Sequence, residues 1–589
     1  ERRRGISVQS SGALFSWREE EINLIDTPGH SDFSAEVERS LWAPDGAILV
    51  ISAAEGVQPQ TEVLFRALKQ NRIPTLLFFN KMDREGADVQ SALQSFRRLL
   101  SPGGCLLEER EGLMEILSEY DDNVMEHYLA GDIFPDAKLF PLVKRAMQEM
   151  QLFPALSGSA LKDRGIEELL DAILTFLPPP SGSASDPLCA VVFSASQDPL
   201  LGRGVQVRLF SGTLQNRDAI PYKEEQRKIT QIRLPSPDGR GKDCGKLECG
   251  QIGTLYGLSD LPIGTVLGDE HLLPRPIHQG LLREPLISVK AEPADPQKAH
   301  DMRKALNILA GEDPLLQVRY YKETQETTLR AMGQMQLEIL EETMRTRFQL
   351  PCTFSRPQLL YRETLLQPTE GFVAYTMPKP CWAIMKLKME PLPPGSGVQF
   401  ESRVSPRDIA LRYQHQVENA LPLALRQGMR GFQVTDIRIT LVEGNHHEIH
   451  THPLDFVVAT PMAVMDGLRR GGTRLMEPVL KAFLQVPETF GGRVMSDVTK
   501  MRGQVLSSQL MGPSMRLEAL IPAVNALPYA ETLLQLTGGR GGMTTQLHSY
   551  QYAPDDVTDT LPRHGVNPLD TAKYILAARS ALEGDIFDR

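Results

Sequence analysis

Cysteine is scarce, with six residues in 589 and no Cys-x-x-Cys pair, which excludes a disulfide scaffold and favours a reducing, cytoplasmic location with free thiols. Cys244 and Cys249 lie nearest each other and are weak ground for a metal site. Long apolar runs are missing too. The longest, around residues 46–54 and 73–79, fall far short of the roughly 18 to 20 residues that cross a bilayer. There is no excess of positive charge: 63 Lys and Arg stand against 74 Asp and Glu, a net of −11, which excludes the uniformly basic body of a simple nucleic-acid binder.

What is present is a soluble, multidomain composition, with 23% charged and 41% hydrophobic residues and a length that predicts about four domains or more. Charge is uneven along it. Residues 357–478 hold 13 Lys and Arg, 12 Asp and Glu, and five of the 12 histidines, so this stretch tolerates phosphate better than the rest. Strand-like runs at 22–25, 46–52 and 75–79 alternate with helical patterns at 31–42 and 58–71, the βαβ rhythm of a parallel sheet. Pro178-Pro179-Pro180 and the Ser/Gly run after them mark a boundary near 180.

The β-branched, turn-rich stretch 186–275 predicts a β-barrel. Residues 284–356 read as a βαββαβ, ferredoxin-like unit, 357–478 as a further α/β section, and 479–552 as a second ferredoxin-like unit. A tail, 553–589, carries a helical stretch at 569–582. The expected fold class is thus multidomain α/β and β, with a parallel-sheet domain at 1–180.

Asp26-Thr27-Pro28-Gly29-His30 follows the first of these runs. A carboxylate at the carboxyl end of a strand can hold a water of Mg²⁺, and the glycine lets a backbone N–H approach a γ-phosphate. His30 is then placed to orient an attacking water; the bland alternative is a plain strand-to-helix turn. Asn80-Lys81-Met82-Asp83 follows the apolar run at 75–79, where open α/β sheets bind ligands. Asp83 could accept two hydrogen bonds from guanine, Asn80 would hold the loop and Lys81 would lie over the ring. Gly158-Ser159-Ala160, ahead of the next helical stretch, would contact guanine O6.

These elements resemble a translational GTPase, and Arg4-Gly5-Ile6-Ser7 is similar to that family's switch I signature, with Ser7 where the family has threonine. The resemblance implies GTP as nucleotide, and Mg²⁺ held by Ser7 and Asp26. No Gly-x-x-x-x-Gly-Lys-Ser/Thr occurs in the sequence. Because the family places that phosphate loop upstream of switch I, the expectation is a chain truncated at its N-terminus that binds GTP poorly by itself, with any targeting segment unseen.

The stretches at 205–214 and 330–348 resemble the barrel and third domain of elongation factor G, and 477–505 resembles its fifth. Pro391 to Ser402, the motif at 431–439 and the helical tail resemble the tetracycline ribosomal-protection proteins, the TetM and TetO group. That likeness implies a monomer that meets the 70S ribosome at decoding-region rRNA and at the GTPase-activating centre, and dislodges the drug. The loop at 443–453 matches the group's rRNA-contacting tip, with His446 and His447 where the group has a Tyr-Tyr pair and Ile449 where it has proline. Imidazoles could stack on unpaired bases as tyrosines do; a metal site or an ordinary polar turn are the alternatives. Arg469 and Arg470 would end a helix with charges free for rRNA phosphates. Three functions stay open: drug release, a translocation or rescue role without it, and non-catalytic ribosome binding.

Overall fold

The fold is a computed structural model that describes residues 7–130, 134–222, 225–235, 241–277, 285–321, 325–376, 381–511 and 514–578. It divides into two compact units, one comprising Glu1–Pro285, Val289–Tyr320 and Thr327–Ser355, the other Leu286–Ser288, Tyr321–Glu326 and Arg356–Arg589.

The first unit opens with an antiparallel hairpin, β1 (Ser11–Trp17) and β2 (Glu20–Asp26), in which Ser11 lies opposite Asp26. The strand expected at 22–25 is there, but in this hairpin and not in the parallel sheet. Arg18 and Glu19, at φ 45° and 73°, form the left-handed two-residue turn that closes tight antiparallel pairs, and residues 11–17 supply the partner. A short 3-10 turn, Ser31–Phe33, then leads into helix α1 (Ser34–Ser40).

The parallel sheet is formed by β3 (Ala47–Ser52), β4 (Thr75–Asn80), β5 (Gly104–Leu106) and β6 (Phe153–Ser157) in the order β3-β4-β6-β5. β4 carries an unbroken apolar run because both its faces are covered: Leu76, Leu77 and Phe79 are fully buried. The helices Pro59–Gln70 and Val89–Leu99 pack here, with Phe65, Phe96 and Phe153 in edge-on contact at 4.9 to 5.9 Å.

Antiparallel strands from Cys189–Asp198 to Val266–Gly268 form a six-stranded sheet flanked by two-stranded ladders, around a core that includes Val191, Val207, Leu209, Ile232 and Leu255. Arg208 leaves this core to donate to both oxygens of Asp45, at 2.9 and 2.8 Å, locking the β-domain to the segment after α1. The order strand, helix, strand, strand, helix, strand follows at 287–354, with helices Ala299–Glu312 and Gln334–Thr346.

In the second unit the long strand Thr473–Pro487 pairs with Arg362–Leu365, Ser514–Pro522 and Gly542–Tyr552. It runs without interruption through the boundary expected at 478/479. A separate sheet of Thr369–Tyr375, Ala383–Pro391, Ile437–Asn445 and Val398–Ser402 packs on helices Leu411–Ala424 and Asp455–Gly471. Met385, Leu387 and Met389 face this core, while Lys386 and Lys388 alternate outward, the period-two pattern of a half-buried strand.

The tail helix Thr571–Ala578 puts Tyr574 and Ala577 into the same core; the expected continuation to 582 lies outside the described residues. The helix carrying Arg469 and Arg470 does end there, but both guanidiniums pair with Asp466 at 2.8 Å and are not free charges. Among the described residues no helix is long and apolar enough to cross a membrane.

Candidate functional site

At the carboxyl end of β4, Asn80 Oδ1 accepts the N–H of Lys81 at 2.7 Å and of Ala160 at 3.0 Å, so one amide side chain joins two loops. Lys81 sits in the left-handed region, φ 65°, and its ammonium lies 3.8 Å from Glu55. Asp83 Oδ1 accepts the Ser159 hydroxyl at 2.5 Å. That hydrogen bond, with one from the backbone, holds the Asp83 carboxyl below the usual range, so it stays ionised. Gly158 completes the seam: its N–H donates to Phe79 O at 3.0 Å and its carbonyl accepts from Met82 at 3.1 Å. A side chain there would collide with the Arg164 carbonyl and the Phe78 ring. The structure thus brings Asn80, Lys81, Asp83, Ser159 and Ala160 together, with the anionic Asp83 beside the paired loops.

Asp26 is exposed at the end of β2, Pro28 is buried and Gly29 is open, with nothing within 4 Å of where a side chain would start. His30 is half-buried, and its Nδ1 accepts the Asp32 N–H at 3.1 Å. The proton of the neutral ring is therefore on Nε2, which is the nitrogen left to face a ligand. Ser7 is half-buried just ahead of Ser11, the residue paired with Asp26; Arg4, Gly5 and Ile6 lie outside the described residues. A carboxylate and a hydroxyl are hard oxygen donors, and Asp26 is open, so this pair suits Mg²⁺ in kind.

The motif reading passed over Asp32, which is buried beside His30. Its carboxylate accepts the N–H of Met335, 303 positions away, and no local pattern could have marked that.

The loop after Ile437–Asn445 holds both His446 and His447 through hydrogen bonds. His446 gives both its backbone N–H and its Nδ1–H to Asp408 O, at 2.9 and 2.7 Å, and its ring lies 5.5 Å from Tyr413. His447 Nδ1 accepts the N–H groups of Ile449 and His450 at 3.2 and 3.3 Å, and the ring stacks on His450 at 4.4 Å. Thr451 bonds the His447 N–H and the Trp382 carbonyl. Both expected stacking residues are thus engaged in the loop's own architecture, while Ile449 is 76% exposed at its apex.

The model of the Elongation factor Tu GTP binding domain matches residues 1–179, that of Elongation Factor G, domain III, 282–356, that of Elongation factor G, domain IV, 357–472, and that of the Elongation factor G C-terminus, 474–561. Tetracycline resistance protein TetP of Clostridium perfringens is 32% identical over 611 residues, covering 99% of this chain and 92% of that one. TetW of Butyrivibrio fibrisolvens is 34% identical over 593 residues, covering 98% and 92%. The chain belongs to the tetracycline resistance protein family. The four models match this chain in the order GTP-binding domain, domain III, domain IV, C-terminus, and a crystal structure from Thermus thermophilus has the same fold at TM-score 0.59 and 24% identity, over 98% of this chain and 92% of that one.

The GTP-binding match begins at residue 1, so it gives no support to the expectation of a truncated chain lacking its phosphate loop. The family boundary at 472/474 coincides with the start of the strand Thr473–Pro487.

Proposed function

We propose that this protein is a ribosome-dependent GTPase that dislodges tetracycline from the ribosome. The observation that carries the reading is the near-full-length likeness to tetracycline resistance proteins, in a chain whose two motif loops meet at Asn80, Asp83, Ser159 and Ala160. Asp83, kept ionised, accepts from guanine N1 and N2; Ser159 and Ala160 fix the loop around O6. Gly29 leaves its backbone open to the γ-phosphate, and His30 offers Nε2 to orient the attacking water. Ser7 and Asp26 would hold Mg²⁺, which neutralises phosphate charge when bound. The partner is the 70S ribosome, whose GTPase-activating centre completes the site, and the section 357–472 carries its tip loop to decoding-region rRNA.

A second reading, GTP hydrolysis in translocation or rescue without drug release, is favoured by the tip itself. His446 and His447 are tied to Asp408, Ile449 and His450, which leaves Ile449 as the group that protrudes. Release of labelled tetracycline from 70S ribosomes, with GTP, a non-hydrolysable analogue or GDP and with phosphate release as control, tests the choice. GTP-dependent drug release supports protection. Hydrolysis without drug release favours the second reading, and neither activity refutes both.

A further inference from the structure

The helix Gln334–Thr346 begins at Gly333, which has no side chain with which to cap it. The cap comes from the first domain: Asp32 Oδ2 accepts the Met335 N–H at 3.1 Å. Amides at a helix start carry partial positive charge, so a carboxylate is the favoured acceptor there. A side chain at position 333 would collide with the Asp32 carboxylate, so the glycine makes the seat. The backbone N–H of this same Asp32 is the donor to His30 Nδ1. One buried residue therefore touches both the imidazole and the distant helix.

A second tether lies at the other end of α1. Arg39 donates to Glu36 at 2.5 Å and to Asp313 at 2.9 Å, and Asp313 accepts Gln336 Nε2 at 3.1 Å from that same helix. Gln336 Oε1 in turn accepts the Met332 N–H at 2.8 Å. The turn bearing His30 and the helix that follows it are thus pinned at two points to the start of one helix in another domain.

We infer that Asp32 is a positioning residue: its carboxylate, seated on the start of Gln334–Thr346, fixes the turn that orients His30, so displacement of that helix resets the imidazole. This rests on the reading of His30 as the group that orients the attacking water.

The test compares Asp32→Ala, Asp32→Asn and Gly333→Ala in the full chain. Three quantities are measured: single-turnover, ribosome-stimulated GTP hydrolysis, GTP affinity, and hydrogen exchange of the peptide containing Met335. Asp32→Ala should slow hydrolysis about 10²-fold, the loss expected of a misplacement of about 1 Å. It should also speed exchange at Met335 and leave GTP affinity within about twofold. Asp32→Asn, whose amide oxygen can still accept the Met335 N–H, should recover most of the rate. Gly333→Ala should slow hydrolysis too, and add little to Asp32→Ala.

Parental hydrolysis or unchanged Met335 exchange in Asp32→Ala would overturn the inference, as would full additivity with Gly333→Ala. If the parent protein itself released no phosphate on ribosomes, the GTPase reading would fall, and exchange at Met335 would still decide whether Asp32 caps the helix.

Discussion

Ser159 donates its hydroxyl to Asp83 at 2.5 Å, a side-chain bond across 76 positions that joins the same two loops already held by the Ala160 N–H on Asn80 and the Met82 N–H on the Gly158 carbonyl. Ser159 is buried, at 2% exposure, and also accepts the Lys162 N–H at 3.3 Å, so its rotamer is fixed from both sides. Asp83 has no comparable packing of its own and depends on this donor for its orientation.

Ser159→Ala should therefore weaken GTP and GDP binding alike, by about tenfold, the usual scale for losing a hydrogen bond to a charged group. Asp83→Asn should shift preference toward xanthine nucleotides, because an amide N–H meets the xanthine carbonyl where the carboxylate met guanine's amine. Equilibrium binding of the guanine and xanthine nucleotides measures both. Unchanged GTP affinity in the two variants would remove these residues from the base site.

His30→Ala should leave GTP affinity near the parent value and reduce ribosome-stimulated hydrolysis by about 10² to 10³-fold, the cost of losing one well-placed polar group at a reacting centre. The Nδ1 bond to Asp32 leaves a single ring nitrogen for the water, so no other atom of the residue can substitute. Turnover at the parent rate in this variant would contradict the role.

Arg208 Nη2 donates to both oxygens of Asp45, yet burial is the largest influence on each, raising the Asp45 carboxyl and lowering the Arg208 guanidinium, with their mutual attraction opposing it. Such a pair is worth little against an apolar replacement and much against a half-broken one. Asp45→Ala should cost about 3 kcal/mol in chemical denaturation, because it strands a guanidinium whose side chain is 4% exposed. Adding Arg208→Met should restore more than half of that loss.

Glu363 is fully buried and accepts the N–H groups of Arg430 and Phe432 at 2.8 and 3.0 Å. Burial raises its carboxyl above the ordinary value, against the pull of the Thr473 hydroxyl and of the backbone amides. With the folded value above the unfolded one, the stability due to this group is complete below the ordinary carboxylate pKa of about 4.3 and is lost as pH rises through the folded value. Denaturation midpoints should then show Glu363→Gln gaining on the parent as pH climbs above about 4.3. A constant gap would mean that the folded and unfolded carboxyls titrate alike.

Legibility in the sequence followed the range of the forces involved. β4 and its Asn80-to-Asp83 loop were readable because a strand buried on both faces has to be apolar throughout, and a loop at its carboxyl end inherits its place. The pairing of β2 with β1 was harder, since the serines of residues 11–17 dilute the alternation and the Arg18–Glu19 turn contains no glycine. Pro478 reads as a break, yet it lies inside Thr473–Pro487 opposite Tyr550. The Asp32 cap and the tip histidines were beyond local pattern: the His446 imidazole meets its acceptor at Asp408, and Thr451, which bonds the His447 N–H, is held by the Trp382 carbonyl, both partners distant in the chain.

At the tip, His447 and Ile449 differ in how the loop holds them. His447 holds the loop, since its Nδ1 is the acceptor for two consecutive backbone N–H groups and its ring is stacked against His450. Ile449 is 76% exposed and is the side chain that would meet an RNA surface. Ile449→Ala should change stability by no more than about 0.5 kcal/mol, as surface substitutions do, while weakening ribosome binding or drug release. His447→Ala should disturb both, because two amides lose their acceptor at once. Hydrogen exchange of the loop with ribosome affinity distinguishes them: protection lost only in His447→Ala, with affinity lost in both, is the expected pattern. An Ile449→Ala protein with parental affinity and drug release would show that the exposed apex is not the contact.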